Sequence, residues 1–257
     1  MTAKVFSVLI CLICLLCLWG CEAHPAPTTT PTTVPTTVPV ETTLPETEPT
    51  EPVNPWELAY REVLTDYAET VEFRLSPTFG DDYNDGKEIP LSDGLKESLN
   101  SDLAYNWHCM LVEMVWSDAG EVTEKEAYGY VLQDINGDGS PELFWVRSDG
   151  FILAVFTIVD GAPRLVDAFW PRYRAVVTPS GELYTRSSGG AMYIEYYIRS
   201  LAPGSAELTN VVEFGLEDGK YYEVVDGQRK TVTEARFQEL LTEKPFANQM
   251  NWEITPL

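Results

Sequence analysis

Cysteine is nearly absent from the body of this 257-residue chain. Four of its five cysteines, Cys11, Cys14, Cys17 and Cys21, fall within the first 21 residues, and only Cys109 lies beyond them. A lone thiol excludes an intrachain disulfide as the staple of the folded part. Histidine is just as scarce: there are two, His24 and His108, which leaves little room for the common acid–base schemes built on imidazole. Basic residues are few, 17 Lys and Arg against 40 Asp and Glu, for a net charge of −23. Nucleic acid and bare anionic lipid are not drawn to such a field, so neither is an expected partner. Gly-x-Ser-x-Gly, His-Glu-x-x-His and the P-loop are also missing, and with them the usual signatures of serine hydrolases, zinc peptidases and nucleotide hydrolases. Between Glu22 and Asn54 there is no aromatic residue at all.

What stands at the N-terminus is an export address. Lys4 supplies a short positive region, and Val5 to Leu18 is an apolar run, the anatomy of a signal peptide over residues 1–20 and too short for a comfortable membrane span. Its end, Leu18-Trp19-Gly20-Cys21, resembles the lipobox of bacterial lipoproteins, with Trp19 departing from the usual residue before the glycine. The resemblance implies that Cys21 is lipidated and that the chain is anchored at the outer face of the cell membrane; two acyl chains suffice for stable anchoring. From residue 21 to 54 the composition is Thr and Pro with scattered Glu, including a tandem Pro-Thr-Thr-Val at 31–38. Such a segment cannot bury enough to offset its ordering entropy and is expected to be a disordered tether, stiffened toward polyproline II by its prolines.

The spacing predicts a single α+β domain over residues 55–257, an antiparallel β-meander with two N-terminal helices and a short C-terminal helix. Asn54-Pro55-Trp56-Glu57 reads as N-cap, N1, N2 and N3, and Trp56, Tyr60, Val63, Leu64 and Tyr67 then recur at helical spacing toward Phe73. Leu95, Leu99, Leu103, Trp107, Leu111 and Met114 mark a second helix, on which the adjacent His108 and Cys109 point apart and read as packing residues. After Tyr128 the period changes to two. Runs at 128–133, 143–147, 151–159, 164–169, 175–178, 192–199, 211–214 and 221–225 are rich in β-branched and aromatic residues, punctuated by Asp149-Gly150, Asp160-Gly161, Ser180-Gly181, Asp218-Gly219 and Asp226-Gly227. Thr233 is a candidate N-cap for a closing helix carrying Phe237, Leu240 and Leu241, and residues 251–254 are a candidate last edge strand.

One stretch writes out a chemistry: Gln133-Asp-Ile-Asn-Gly-Asp-Gly-Ser-Pro-Glu-Leu143. Asp134, Asn136, Asp138 and Glu142 stand at positions 1, 3, 5 and 9 of a loop that bends at Gly139, with the Ser140 carbonyl at position 7. Alternate residues of a tight loop can aim oxygens at one point, and Ca²⁺ takes about six to eight oxygen ligands at roughly 2.3 to 2.6 Å. The second acidic stretch, Gly80 to Gly86, puts Tyr83 where a ligand would stand and reads as a solvated loop.

Tyr130 to Leu143 resembles the calcium loop of FG-GAP and VCBS repeats, where the loop joins two strands of a hairpin. With the lipobox, the 56–67 helix, Ser187-Ser-Gly-Gly190 and the Thr233-Glu-Ala-Arg-Phe helix, the whole chain resembles a group of lipoproteins from gut Firmicutes. That likeness implies location and architecture and no activity. An EF-hand would need a bidentate Glu at position 12, where this chain has Trp145; a dockerin would need two such loops, and a propeller several.

Three functional classes remain. The first is a tethered, non-catalytic module binding a protein or glycan, with Ca²⁺ as a structural cofactor. The second is a glycan-active enzyme with paired carboxylates about 5 to 10 Å apart, for which the sequence singles out no pair and hence no catalytic residue. The third is a lipoprotein that captures a solute or glycan, with Trp170, Tyr173, Tyr193, Tyr196 and Tyr197 as a candidate stacking platform.

Overall fold

The computed structural model describes residues 54–76, 93–116, 125–247 and 252–257. The leader, Cys21, the Thr/Pro tether and the 80–86 stretch lie outside the described residues.

The helical period at the start of the folded part is broken once. Helix α1 covers Pro55–Ala59 and α2 covers Arg61–Leu75, with Tyr60 between them. Asn54 caps α1 through its side chain, which accepts from Trp56 N at 3.0 Å. Glu57 does not reach back to complete a capping box; its Oε1 accepts from Tyr130 Oη at 2.8 Å. Tyr60, Val63, Tyr67 and Val71 are buried, whereas Trp56 is only half-buried and stands outside the core.

The second helical stretch is also two pieces, α3 at Asp93–Ser98 and α4 at Ser101–Trp116. Asn100 makes the break, its Oδ1 accepting from the amides of Asp102 at 3.0 Å and Leu103 at 2.9 Å, the work of an N-cap. Trp107, Met110 and Met114 are buried, and His108 is exposed rather than packed.

The strands form an antiparallel meander divided between two sheets. In the first, β1 (Tyr128–Gln133), β2 (Glu142–Arg147), β3 (Ile152–Val159) and β4 (Ala162–Ala168) lie in sequence order, and β11 (Thr255–Pro256) pairs with β1. The closing edge strand thus sits just beyond residues 251–254. Its approach requires Gly129, where a Cβ would overlap the Thr255 carbonyl and the Ile254 side chain. The second sheet runs in order through β5 (Tyr173–Val177), β6 (Leu183–Gly190), β7 (Tyr193–Leu201), β8 (Leu208–Glu217), β9 (Lys220–Val225) and β10 (Gln228–Thr231). Three hairpins turn on Asp-Gly pairs in which both residues have positive φ: Asp160-Gly161, Asp218-Gly219 and Asp226-Gly227. Those are the dihedrals of a type I′ turn, whose twist matches that of the flanking strands.

Alternation along the strands sorts side chains into three cores within one compact unit, Glu51–Leu257. Tyr128, Tyr130, Leu143, Trp145 and Phe156 face the helices α2 and α4. Val131, Phe144, Val146 and Val155 face the other way, meeting Ala175, Val177 and Leu183 of the second sheet. On the far side of that sheet Tyr184, Tyr196 and Phe214 pack on Phe237 and Leu240 of the last helix, α5 (Glu234–Glu243), which Thr233 caps by accepting from Arg236 N at 3.2 Å. The order is helices, sheet, sheet, helix.

Trp145 carries the first interface. Its indole stacks on the Tyr67 ring at 4.3 Å, and Tyr67 Oη donates to the Val146 carbonyl at 2.9 Å. Tyr67→Ala is expected to cost about 3 to 5 kcal/mol, as for other buried aromatic truncations, and Tyr67→Phe about 1 kcal/mol for the lost hydrogen bond. Urea denaturation of the two variants checks both values.

Candidate metal centre and cleft

The hairpin between β1 and β2 holds the loop, and its strands pair in register from Tyr128–Arg147 to Gln133–Glu142. Gly137 and Gly139 take positive φ, 76° and 88°, which lets the chain curl around Asp134. The two carboxylate oxygens of Asp134 accept from Gly137 N at 2.7 Å and Gly139 N at 3.0 Å. Asn136 Oδ1 accepts from Asp138 N at 3.0 Å, and Asp138 Oδ1 from Ser140 N at 2.7 Å.

Glu142 lies at the inner end with no exposed surface. Its Oε2 accepts from Ile135 N at 2.9 Å, and its Oε1 from Asn136 Nδ2 at 2.9 Å and Thr157 Oγ1 at 3.0 Å. Burial pushes its carboxyl above the usual range; the hydrogen bonds from Ile135 and Thr157 oppose that shift, and the nearby charge of Asp138 adds to it. By holding the Asn136 nitrogen, Glu142 turns the amide oxygen toward the loop.

Two neighbours brace this turn. From the helical layer, Tyr60 Oη donates to the Pro141 carbonyl at 2.9 Å. From the second sheet, the β5–β6 turn presses on the loop at Gly181, φ 88°, where a Cβ would overlap the Ile135 carbonyl.

The donor set of Asp134, Asn136, Asp138, Ser140 and Glu142 is all oxygen, the chemistry a hard cation requires, and each engaged oxygen except Glu142 Oε1 accepts a single hydrogen bond, leaving a lone pair. No group of three or more His, Cys, Asp or Glu side chains converges as a metal cluster among the described residues. The loop carboxylates whose charges are felt by one another are those of Asp138 and Glu142; Asp134 is engaged by the loop amides of Gly137 and Gly139.

A second feature was not singled out from the sequence. Asp167, on β4, is buried and accepts four hydrogen bonds: from Asn106 Nδ2 at 2.8 Å, Ala168 N at 2.9 Å, Tyr173 Oη at 2.6 Å and Arg199 Nη2 at 2.8 Å. The Arg199 and Asp167 side chains are 15% and 3% exposed, so this is a buried ion pair, and Arg199 Nε has no partner. Burial, then the charge of Asp167, pushes the Tyr173 phenol well above its ordinary value. The network floors a cleft of about 830 Å³ where α3, α4, β4 and the β7–β8 connection meet. The signal was an acid inside the apolar run Leu165 to Phe169 and a base at the end of Tyr196-Tyr-Ile-Arg199, opposite charges in two strands.

The other aromatic candidates disperse. Tyr196 is buried against Phe214 at 5.0 Å, Tyr193 sits exposed at a hairpin end, and Tyr197 is half-buried. Glu195 and Glu213 approach one another on an open sheet face, but both lie against Arg229, at 3.9 and 3.1 Å, an ion network rather than a free pair.

Gly139 and Gly181 share a φ of 88°, yet only Gly181 faces backbone. Gly181→Ala is therefore expected to destabilise the protein by about 1 to 3 kcal/mol more than Gly139→Ala, the excess being the steric term; paired urea titrations measure it. No family model, curated protein or solved structure matches the chain.

Proposed function

We propose that this chain is a non-catalytic binding module tethered through Cys21 to the outer face of the cell membrane, with one Ca²⁺ ion as the structural staple of its 134–142 hairpin. The supporting observation is the loop: five residues at alternating positions present oxygen donors on a turn that two other layers grip. In this reading the oxygens of Asp134, Asn136 and Asp138 and the carbonyl of Ser140 hold the ion, while Glu142 positions Asn136 and offers the free lone pair of Oε2. Ca²⁺ would offset part of the negative charge of a chain with net charge −23. A structural metal is one way to stabilise a domain that has a single free cysteine and no disulfide.

The tether accounts for exposure at the cell surface, and no described helix is long and apolar enough to cross a membrane. The cleft is lined by hydrogen-bonding side chains, Asn106, Asp167, Tyr173 and Arg199 among them, which supports the binding reading.

Extracellular modules bind Ca²⁺ with dissociation constants on the order of 10⁻⁴ to 10⁻³ M. Tenfold excess over the dissociation constant should then stabilise the fold by about 1.4 kcal/mol. Melting curves of the protein in chelator and in millimolar Ca²⁺ are expected to separate, with Asp134→Ala and Asp138→Ala abolishing the difference and Mg²⁺ substituting poorly. Coincident curves with no heat of binding would leave the loop as a plain hairpin turn. In the same preparations Cys21→Ser is expected to move the protein from the detergent phase to the aqueous phase.

A further inference from the structure

We propose that the cleft floored by Asp167, Tyr173 and Arg199 binds a neutral, polyhydroxylated ligand, a short saccharide. This deepens the binding-module reading by naming the site and the chemistry it recognises.

Size and place come first. A volume of about 830 Å³ falls within the roughly 300 to 1,000 Å³ typical of small-ligand sites. One wall is β4, the terminal strand of its sheet, whose outer edge pairs with no described strand. The opposite wall is the N-terminal turn and a half of α4, and the floor joins Asp167 of β4 to Tyr173 and Arg199 of the second sheet.

Charge then narrows the class. Among the described residues the cations in the lining are Arg164 and Arg199, and each is committed: Arg164 Nη1 to Glu97 at 3.3 Å and Arg199 Nη2 to Asp167 at 2.8 Å. The acids left over are Asp102 and Glu207, both exposed at the rim. An anion would meet uncompensated negative charge. A cation would find only screened, solvated carboxylates, a weak source of affinity. The buried floor is electrically balanced and rich in hydrogen-bonding groups, which suits a neutral ligand that both donates and accepts.

The floor is also pre-organised. Asn106 spends its Nδ2 on Asp167, which leaves its Oδ1 as an acceptor. Arg199 uses Nη2 alone for hydrogen bonds and holds the Tyr173 oxygen at 2.5 Å. Both side chains are thus tied to the one Asp167 carboxylate before any ligand arrives, the arrangement that limits the ordering cost of binding. Vicinal hydroxyls of a sugar ring satisfy such a pair at once.

Beside the cleft stands an aromatic ring with no core role. Tyr105 is 63% exposed and shares a helical face with the lining residue Asp102, three positions before it. Its ring meets the edge of Trp170 at 6.0 Å, and Trp170 packs on Tyr173 at 5.1 Å. An exposed ring, in edge contact with a second ring that packs on the cleft residue Tyr173, offers a flat face for the C–H side of a pyranose, while the floor takes its hydroxyls.

The experiment is titration calorimetry and saturation-transfer NMR on the full chain in a detergent without sugar headgroups, with and without Ca²⁺. The probes are neutral oligosaccharides of glucose, xylose, mannose, galactose and N-acetylglucosamine, with galacturonate oligomers and spermidine as charged controls. At least one neutral oligosaccharide is expected to bind at millimolar concentration or below, with Tyr105→Ala and Asn106→Ala each weakening it at least tenfold. Because Tyr105 is exposed, Tyr105→Ala should keep the wild-type melting temperature, which separates lost contact from lost fold. No binding by any neutral probe, preference for galacturonate or spermidine, or affinity unchanged in both variants would overturn the proposal. The Ca²⁺-dependent melting shift in the same samples reads the hairpin independently: an intact shift without saccharide binding removes the cleft assignment alone, and saccharide binding without a shift removes the calcium staple alone.

Discussion

A carboxylate with no exposed surface has to be met by donors, and Glu142 imposes that requirement at the point where the layers of this protein converge. Its three donors come from different places: the backbone of Ile135, the side chain of Asn136 and the hydroxyl of Thr157 on the neighbouring strand. Leaving such a group unmatched would cost several kcal/mol. The loop must therefore fold back over β2 for the sheet to keep Glu142 inside. The flanking residue Pro141 is held from the helical layer by Tyr60, and the residue that donates to Glu142, Ile135, is pressed from the second sheet at Gly181. The hairpin turn thus joins three layers through one acid.

From that junction the rest of the fold is a matter of strict alternation. Leu143 and Trp145 go to the helices, Phe144 and Val146 to the second sheet, so β2 is apolar on both sides and central to two cores. The inter-sheet core gives way beside Asp167, where β4 directs a carboxylate into the gap and four donors gather on it. A buried ion pair of this kind is a weak source of net stability, since desolvation offsets the attraction. Its evident structural result is a fixed constellation of hydrogen-bonding groups at the base of a cleft.

The parts legible in the sequence are those set by local chemistry. Asn54 and Thr233 cap helices through their side chains, the Asp-Gly pairs take the dihedrals of tight hairpins, and Tyr128–Gln133 is a strand to the residue. Where distant partners decide, the pattern was silent. Leu183–Gly190, with two serines and two glycines, has little strand propensity, yet it lies between β5 and β7 and is held from both sides. Gln228–Thr231 is wholly exposed, as a charged edge strand can be, and carries no apolar alternation to detect. The apolar stripe from Leu95 to Met114 continues through the break at Asn100, so periodicity alone could not show that the helix restarts there. The loop residues were legible as a set, but not that Glu142 would turn inward, because its donor Thr157 lies on another strand. Asp167 and Arg199, 32 residues apart, show only as two misplaced charges.

Glu142, with its three donors, is expected to hold the hairpin turn as firmly as the sheets themselves are held. Amide hydrogen exchange at Ile135, whose N–H donates to Glu142, tests it directly. If the turn opens only when the whole domain unfolds, this loop amide exchanges with the same opening free energy as the amides of the interior strand β3. Exchange orders of magnitude faster than β3, through local fraying of residues 134–142, would contradict the account.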